Sequence, residues 1–176
     1  MENLKFCKVR EVKSPIRAHN DDAGIDFFIP TNIDVDTFAS KCEVTNCKLD
    51  YTLTDNYYIK SITLYKGQSV LIPSGIHVKI PNGYALIFMN KSGVASKKGL
   101  HVGACVVDQN YEGECHINLT NVGELPVVIE AGDKIIQGLV LPINYCQTEE
   151  VSSLDELYKG SISDRGSGGF GSSGTK

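Results

Sequence analysis

The apolar positions of this chain recur in twos. In SVLIPSGIHVKIPNGYALIFM, Ser69 to Met89, the residues Ile76, Val78 and Ile80 alternate with His77 and Lys79, and the run is cut at Pro73-Ser74-Gly75 and at Pro81-Asn82-Gly83. A period of two between Pro/Gly turns is the signature of a half-buried strand. ECHINLTN repeats it, with Cys115, Ile117 and Leu119 on one face and His116, Asn118 and Thr120 on the other. GDKIIQGLVLPI opens with a turn and continues as an apolar strand. Short strands with frequent Gly/Pro punctuation predict an all-β sandwich or barrel.

Helical spacing is confined to two stretches. Ser92 reads as the cap of SGVASKKGL, with Gly99 placed to end it, and SSLDEL from Ser152 reads as a short capped turn. The segment from about Thr37 to Ile62 is polar and carries Tyr51, Tyr57 and Tyr58, with turn signals at Thr45-Asn46 and Thr54-Asp55-Asn56. It reads as one or two extra surface hairpins. Residues 1–160 are expected to form the β-domain, and 161–176, rich in glycine and serine, a flexible tail.

Composition narrows the partners. With 176 residues, 41% hydrophobic and 22% charged, the chain suits one domain with a real core. A net charge of -4 argues against nucleic acid or an anionic membrane as partner through bulk electrostatics, so any anionic ligand must be held by local groups. MENLKFCKVREVKS shows no apolar leader, and no run approaches the ~20 apolar residues of a membrane span. The expectation is a soluble, cytoplasmic protein. Six scattered cysteines, Cys7, Cys42, Cys47, Cys105, Cys115 and Cys146, are expected as free thiols, since the Cys42–Cys47 pair lacks two further ligands at zinc-site spacing.

The candidate chemistry lies in short segments. AGIDF carries Asp26; NKSGVA carries Lys91, Ser92 and Gly93; VVDQNYEGE carries Asp108 and Tyr111; GDKIIQ carries Gln137. Each alone has a bland explanation as a turn carboxylate, a helix cap or a surface strand residue. The last segment, DRGSGGFGSSGTK, comes near a phosphate-binding glycine loop, but Thr175 and Lys176 stand in the wrong order for one. A linker, for its part, has no use for Arg165 and Phe170.

Taken in order, AGIDF, KSGVA, VVDQNYEGE, GDKIIQ and RGSGGFGSSG resemble the five motifs of the trimeric dUTPases, the dUTP diphosphatases. The resemblance implies a jelly-roll-like β-fold with a short helix, assembled as a homotrimer whose sites are shared between subunits. It implies hydrolysis of dUTP to dUMP and pyrophosphate by water attacking the α-phosphorus, which limits uracil in DNA and supplies dUMP for dTMP synthesis. Asp108 matches the general base, and Asp26 the residue that holds Mg²⁺ through water. Lys91, Ser92, Gly93 and Gln137 match phosphate-side contacts, and Tyr111 the ring beneath the sugar that excludes a 2′-hydroxyl. In the tail, Arg165 would clamp the terminal phosphate, Phe170 would lie on the uracil, and Gly171, Ser172 and Ser173 would wrap the phosphates as the tail closes over the nucleotide.

Three features depart from the pattern. Lys91 stands where arginine is usual, Cys105 replaces a common glycine beside the base pocket, and Lys134, Ile136 and Gly138 are looser matches in the fourth motif. Two other readings compete. A dCTP deaminase relative would carry a catalytic glutamate where this chain has Asn118, and an amide cannot shuttle protons. A regulatory binding protein would use the 37–62 segment and its tyrosines as the contact for a protein partner.

Overall fold

The computed structural model describes residues 3–44, 50–161, 163 and 166–168. The chain divides into two compact units, Met1–Asn144 and Tyr145–Lys176. The described residues of the first form β1 (Lys5–Lys8), β2 (Ile25–Phe28), α1 (Val35–Val44), β3 (Asp50–Leu53), β4 (Ile59–Leu64), β5 (Ser69–Pro73), β6 (Ile76–Lys79), β7 (Tyr84–Asn90), α2 (Ser92–Lys98), β8 (Leu100–Val102), β9 (Val106–Val107), β10 (His116–Asn121), β11 (Val127–Glu130) and β12 (Lys134–Pro142). The second unit contributes α3 (Leu154–Leu157).

The strands pair into antiparallel sheets ordered β2-β12-β7-β9, β5-β10-β8, β11-β4-β3 and β1-β6. This is the expected all-β, jelly-roll-like architecture. The alternation read from sequence is what packs: Cys115, Ile117 and Leu119 are buried to within 1% of full, while His116, Asn118 and Thr120 are only half-buried on the opposite face. Phe27 of β2 meets Phe88 of β7 edge to face at 5.0 Å, an arrangement that adds about 0.5–1.5 kcal/mol to the area it buries. Between β5 and β6 the turn needs Gly75, whose φ is +72° and where a Cβ would lie 2.9 Å from the Cβ of Arg10.

The helices differ from expectation in two ways. Beside the two helical stretches expected, a third helix is present among the described residues, because the segment read as surface hairpins opens with α1. Asp34 caps that helix, its Oδ1 accepting the N–H of Thr37 at 2.8 Å. Phe38 of α1 is fully buried, and its ring meets Tyr51 edge to face at 5.6 Å. Only the second half of the segment is a hairpin, β3 with β4, and Ile59 and Ile62 of β4 lie in the core. Phe38 of α1 and the inner face of β4 thus belong to the core, while β3 and the hairpin tip stay on the surface. In α2 the cap position falls on Lys91, which has extended backbone and makes no side-chain cap, so Ser92 is the first helical residue. Gly99 does end α2, at φ 65°, and Ser153 caps α3 by accepting the N–H of Glu156.

No described helix is long and apolar enough to cross a membrane. Cys7, Cys105, Cys115 and Cys146 are free thiols, and Cys47 lies outside the described residues.

Candidate active site

Two clusters of polar side chains stand out in the first unit. The first is set by strand register. Asp26 of β2 faces Gln137 of β12, which in turn faces Met89 of β7. Gln137 donates to the carbonyl of Asn90 at 2.9 Å, and Asn90 accepts the N–H of Val102 through its Oδ1 at 2.7 Å, which fixes the chain just before Lys91. On its other side Gln137 packs on the Ala23–Gly24 turn, where any Cβ on Gly24 would lie 2.0 Å from Oε1. Asp26 itself is 4% exposed. Its Oδ1 accepts a hydrogen bond from Lys91 Nζ and its Oδ2 pairs with Lys134 Nζ at 2.9 Å. Burial works to raise the Asp26 pKa, but the hydrogen bonds and charges of Lys91 and Lys134 outweigh it and hold the carboxyl below its ordinary value.

Directly after Lys91, Ser92 and Gly93 open α2. The first turn of a helix leaves its N–H groups without partners inside the helix. At Gly93 nothing lies within 4 Å of a Cβ position, so the backbone there can be approached closely.

The second cluster surrounds a cavity of about 180 Å³ lined by residues that include Phe88, Cys105, Asp108, Tyr111 and His116. Asp108 is exposed at the end of β9 and begins a tightly held loop. Its carbonyl accepts the N–H of Tyr111 at 3.0 Å, and the Tyr111 hydroxyl donates to the Glu114 carbonyl at 3.1 Å. Arg10 grips the Glu114 carboxylate with Nε and Nη2 at 2.9 and 3.2 Å, and the N–H of Gly75 adds a bond at 2.7 Å. Such a bidentate grip fixes direction as well as charge. From the other side, Gln109 accepts the N–H of Gly83 at 2.8 Å. The aspartate therefore projects from a rigid mount.

Asn118 serves that mount. Its Oδ1 accepts the N–H of Ala104 at 2.8 Å and its Nδ2 donates to the Val70 carbonyl at 3.0 Å. With both ends of the amide engaged, it is a structural tie between β10 and the strand that leads to Asp108.

The clusters are far apart within one chain. Val107 pairs with Leu86, so Asp108 is level with Ala85, four residues along β7 from the Met89 row and three strands across from β2. At about 3.3 Å per residue and 4.8 Å per strand, Asp108 and Asp26 are roughly 20 Å apart.

A family model described as dUTPase matches residues 54–174. The chain belongs to the dUTPase family. It is 33% identical over 168 residues to the deoxyuridine 5'-triphosphate nucleotidohydrolase of Mycobacterium sp. (strain JLS), covering 94% of this chain and 90% of that one. To the enzyme of the same name from Chlamydia trachomatis serovar D it is 38% identical over 115 residues, 64% of this chain and 76% of the relative. Among solved structures, the dUTPase of Staphylococcus bacteriophage 80alpha with dUpNHpp aligns at a TM-score of 0.72 over 99% of both chains, with 23% identity. The dUTPase of phage phi11 of S. aureus aligns at 0.65 over 88% of this chain and 99% of its own, with 20% identity. At these identities the structures speak for the fold.

Of the residues marked in the dUTPase motifs, the first cluster brings together Asp26, Lys91 and Gln137, with Ser92 and Gly93 adjoining, and the second brings together Asp108 and Tyr111 with Cys105. Arg165, Phe170, Gly171, Ser172 and Ser173 lie outside the described residues. The sequence reading missed Lys134 as a partner of Asp26. A run of alternating residues puts Lys134 and Gln137 on opposite faces, and only the pairing with β2 reveals otherwise.

No group of three or more His, Cys, Asp or Glu among the described residues could cage a metal ion. The donor set fits a different kind of magnesium site. Mg²⁺ keeps several waters and is commonly bound by one or two carboxylates together with substrate phosphates. Asp26, a charged and buried carboxylate, could make such a contact through water once an ammonium gives up one of its oxygens, since Lys91 and Lys134 hold both.

Proposed function

We infer that this dUTP diphosphatase cleaves dUTP between the α- and β-phosphates in a site built by more than one copy of the chain. The observation that carries the shared site is the separation of about 20 Å between the Asp108 and Asp26 rows, set by strand spacing. One nucleotide cannot offer its α-phosphorus to Asp108 and its outer phosphates to Lys91 across that span, but neighbouring copies in a homotrimer can bring the two clusters together.

In this reading the uracil enters the cavity beside Cys105 and the sugar rests on Tyr111, whose ring is held by its bond to Glu114. Asp108 takes a proton from water as its oxygen bonds to the α-phosphorus, the bridging P–O bond breaks, and pyrophosphate leaves with the electron pair. General-base assistance of this kind contributes roughly 10²–10⁴-fold. Lys91, Ser92, Gly93 and Gln137 orient the departing phosphates, and most of the remaining acceleration comes from that positioning. Asp26 would hold Mg²⁺ through water, and the ion would supply charge neutralisation on the phosphate oxygens. The dUTPase resemblance assigns Arg165 to the terminal phosphate, Phe170 to the uracil, and Gly171, Ser172 and Ser173 to the phosphates.

The test is release of pyrophosphate from dUTP, dCTP, dTTP and UTP in parallel, with Mg²⁺ and with chelator. Metal-dependent release from dUTP alone, yielding dUMP, is the expected result. Comparable release from dCTP would contradict base selection in the Cys105 cavity, and release from UTP would contradict the sugar role of Tyr111.

A protein-binding role is favoured by one observation: Tyr57 is 75% exposed in left-handed backbone at the tip of the β3–β4 hairpin, beside the exposed Tyr58. Because this hairpin shares the core, the test is Tyr57→Ala and not deletion. Loss of a captured partner with turnover intact supports the role, and unchanged capture removes it.

A further inference from the structure

We propose that Lys134 is a positioning residue of the phosphate site, the resident counter-ion that keeps Asp26 paired when Lys91 turns to the triphosphate. The inference rests on the reading of Lys91 as a phosphate contact. Lys91 and Lys134 occupy different oxygens of one carboxylate, Oδ1 and Oδ2. Were Lys91 the sole partner, its move to the substrate would leave the Asp26 charge to a hydrated Mg²⁺ alone, and with the metal chelated would strand it, which is strongly unfavourable. With Lys134 on the second oxygen the charge stays compensated.

Lys134 reaches that position through a backbone irregularity. In a regular strand, residues three apart point to opposite faces. The pairing of β12 with β2 shifts between Lys134 and Ile136, so that Lys134 pairs with Phe28 and Gln137 with Asp26, two positions that share a face of β2. Ile135 and Ile136 are both buried, at 2% and 0% exposure, as the absorbed extra residue requires. Bulges re-aim side chains and recur next to active sites.

The identity of the mobile partner fits as well. Lys91 stands where the family usually has arginine, and an ammonium on a flexible stem is a point charge that passes readily from one oxygen to another, whereas a guanidinium favours a fixed fork. The two lysines thus divide the work: Lys134 stays with Asp26, and Lys91 leaves.

The test is equilibrium binding of a non-hydrolysable dUTP analogue with the metal chelated, for wild type, Lys134→Met and Lys134→Arg, and for Lys134→Met combined with Asp26→Asn. Lys134→Met should weaken binding ~10-fold and Lys134→Arg should restore it. In the Asp26→Asn background Lys134→Met should change little, because no carboxylate is left to compensate. Wild-type affinity in Lys134→Met would overturn the inference, and so would an equal loss in the Asp26→Asn background, which would make Lys134 a direct phosphate contact. Thermal melts check the fold, and Lys134→Gln replaces the methionine variant if that one does not fold. Wild-type dUTP turnover, measured alongside, is the separate check on the dUTP reading: its absence overturns that reading, while turnover with an indifferent Lys134→Met overturns only the role of Lys134.

Discussion

Asn118 and Ala104 are joined by a hydrogen bond of 2.8 Å from the Ala104 N–H to the Asn118 Oδ1, and Gly103 lies so close beneath that a Cβ there would sit 2.0 Å from the same oxygen. The side chain that occupies the deaminase glutamate position is therefore a strut for the loop that delivers Asp108.

Removing the strut should damage chemistry more than stability. Asn118→Ala releases the exposed Ala104 N–H to water and loosens the approach to Asp108, and kcat should fall roughly 10- to 100-fold, the scale of a misplaced catalytic group. Asn118→Glu should release no ammonia from dCTP. Steady-state kinetics with product identification checks both, and ammonia release would revive the deaminase reading.

A stability effect of different origin is expected at Asn121. This fully buried amide donates to the carbonyls of Leu64 and Leu125, both at 2.9 Å, and accepts the N–H of Gly123 at 2.9 Å. Asn121→Ala strands all three groups and should cost about 2–4 kcal/mol in a denaturant titration. A change below half of that would mean the loop re-pairs elsewhere.

His116 gives the fold an acid-side slope. Burial, then the charge of Lys41, push its pKa below 6.5, against an opposing hydrogen bond to Glu114. Below 6.5 the unfolded chain takes up a proton that the folded chain resists, so stability falls as pH drops from that point toward the lower folded value. His116→Gln should flatten the melting temperature between about pH 7.5 and pH 5 relative to wild type. Parallel curves would contradict the assignment.

The two cysteines at the cavity should react differently. Burial, with help from the charge of Glu114, pushes the Cys115 thiol up to about 11, and the residue is 1% exposed, so it is protonated and shielded. Cys105 is half-buried in the cavity wall. Iodoacetamide should modify Cys105 and spare Cys115, and dUMP should protect Cys105, as read by peptide mass mapping. Labelling of Cys105 that ignores dUMP would move the uracil out of this cavity.

Much of this architecture was legible in the chain. Alternation marked the buried faces of β6 and β10, and Gly99 and Ser153 ended and capped their helices as local chemistry dictates. The helix α1 was not seen, since its β-branched and polar residues favour helix weakly and tertiary burial of Phe38 decides the matter. The signal that could have found it is Asp34, a capping residue before Val35. Motif order named Asp26 and Gln137 as separate segments, and only strand register shows them face to face. Lys134 was beyond reach for the same reason: a bulge alters the period, and nothing in GDKIIQ announces one.

The central claim, a site shared between copies, is tested most directly by complementation. Asp108→Asn should lower turnover at least ~10²-fold, and Lys91→Ala should do the same from the other cluster. The two inactive proteins are unfolded together, refolded as a mixture and assayed on dUTP. If each site takes Asp108 from one copy and Lys91 from another, random mixing in equal amounts restores roughly a quarter of the wild-type sites. If both residues of a site come from one chain, the mixture stays as inactive as its parts.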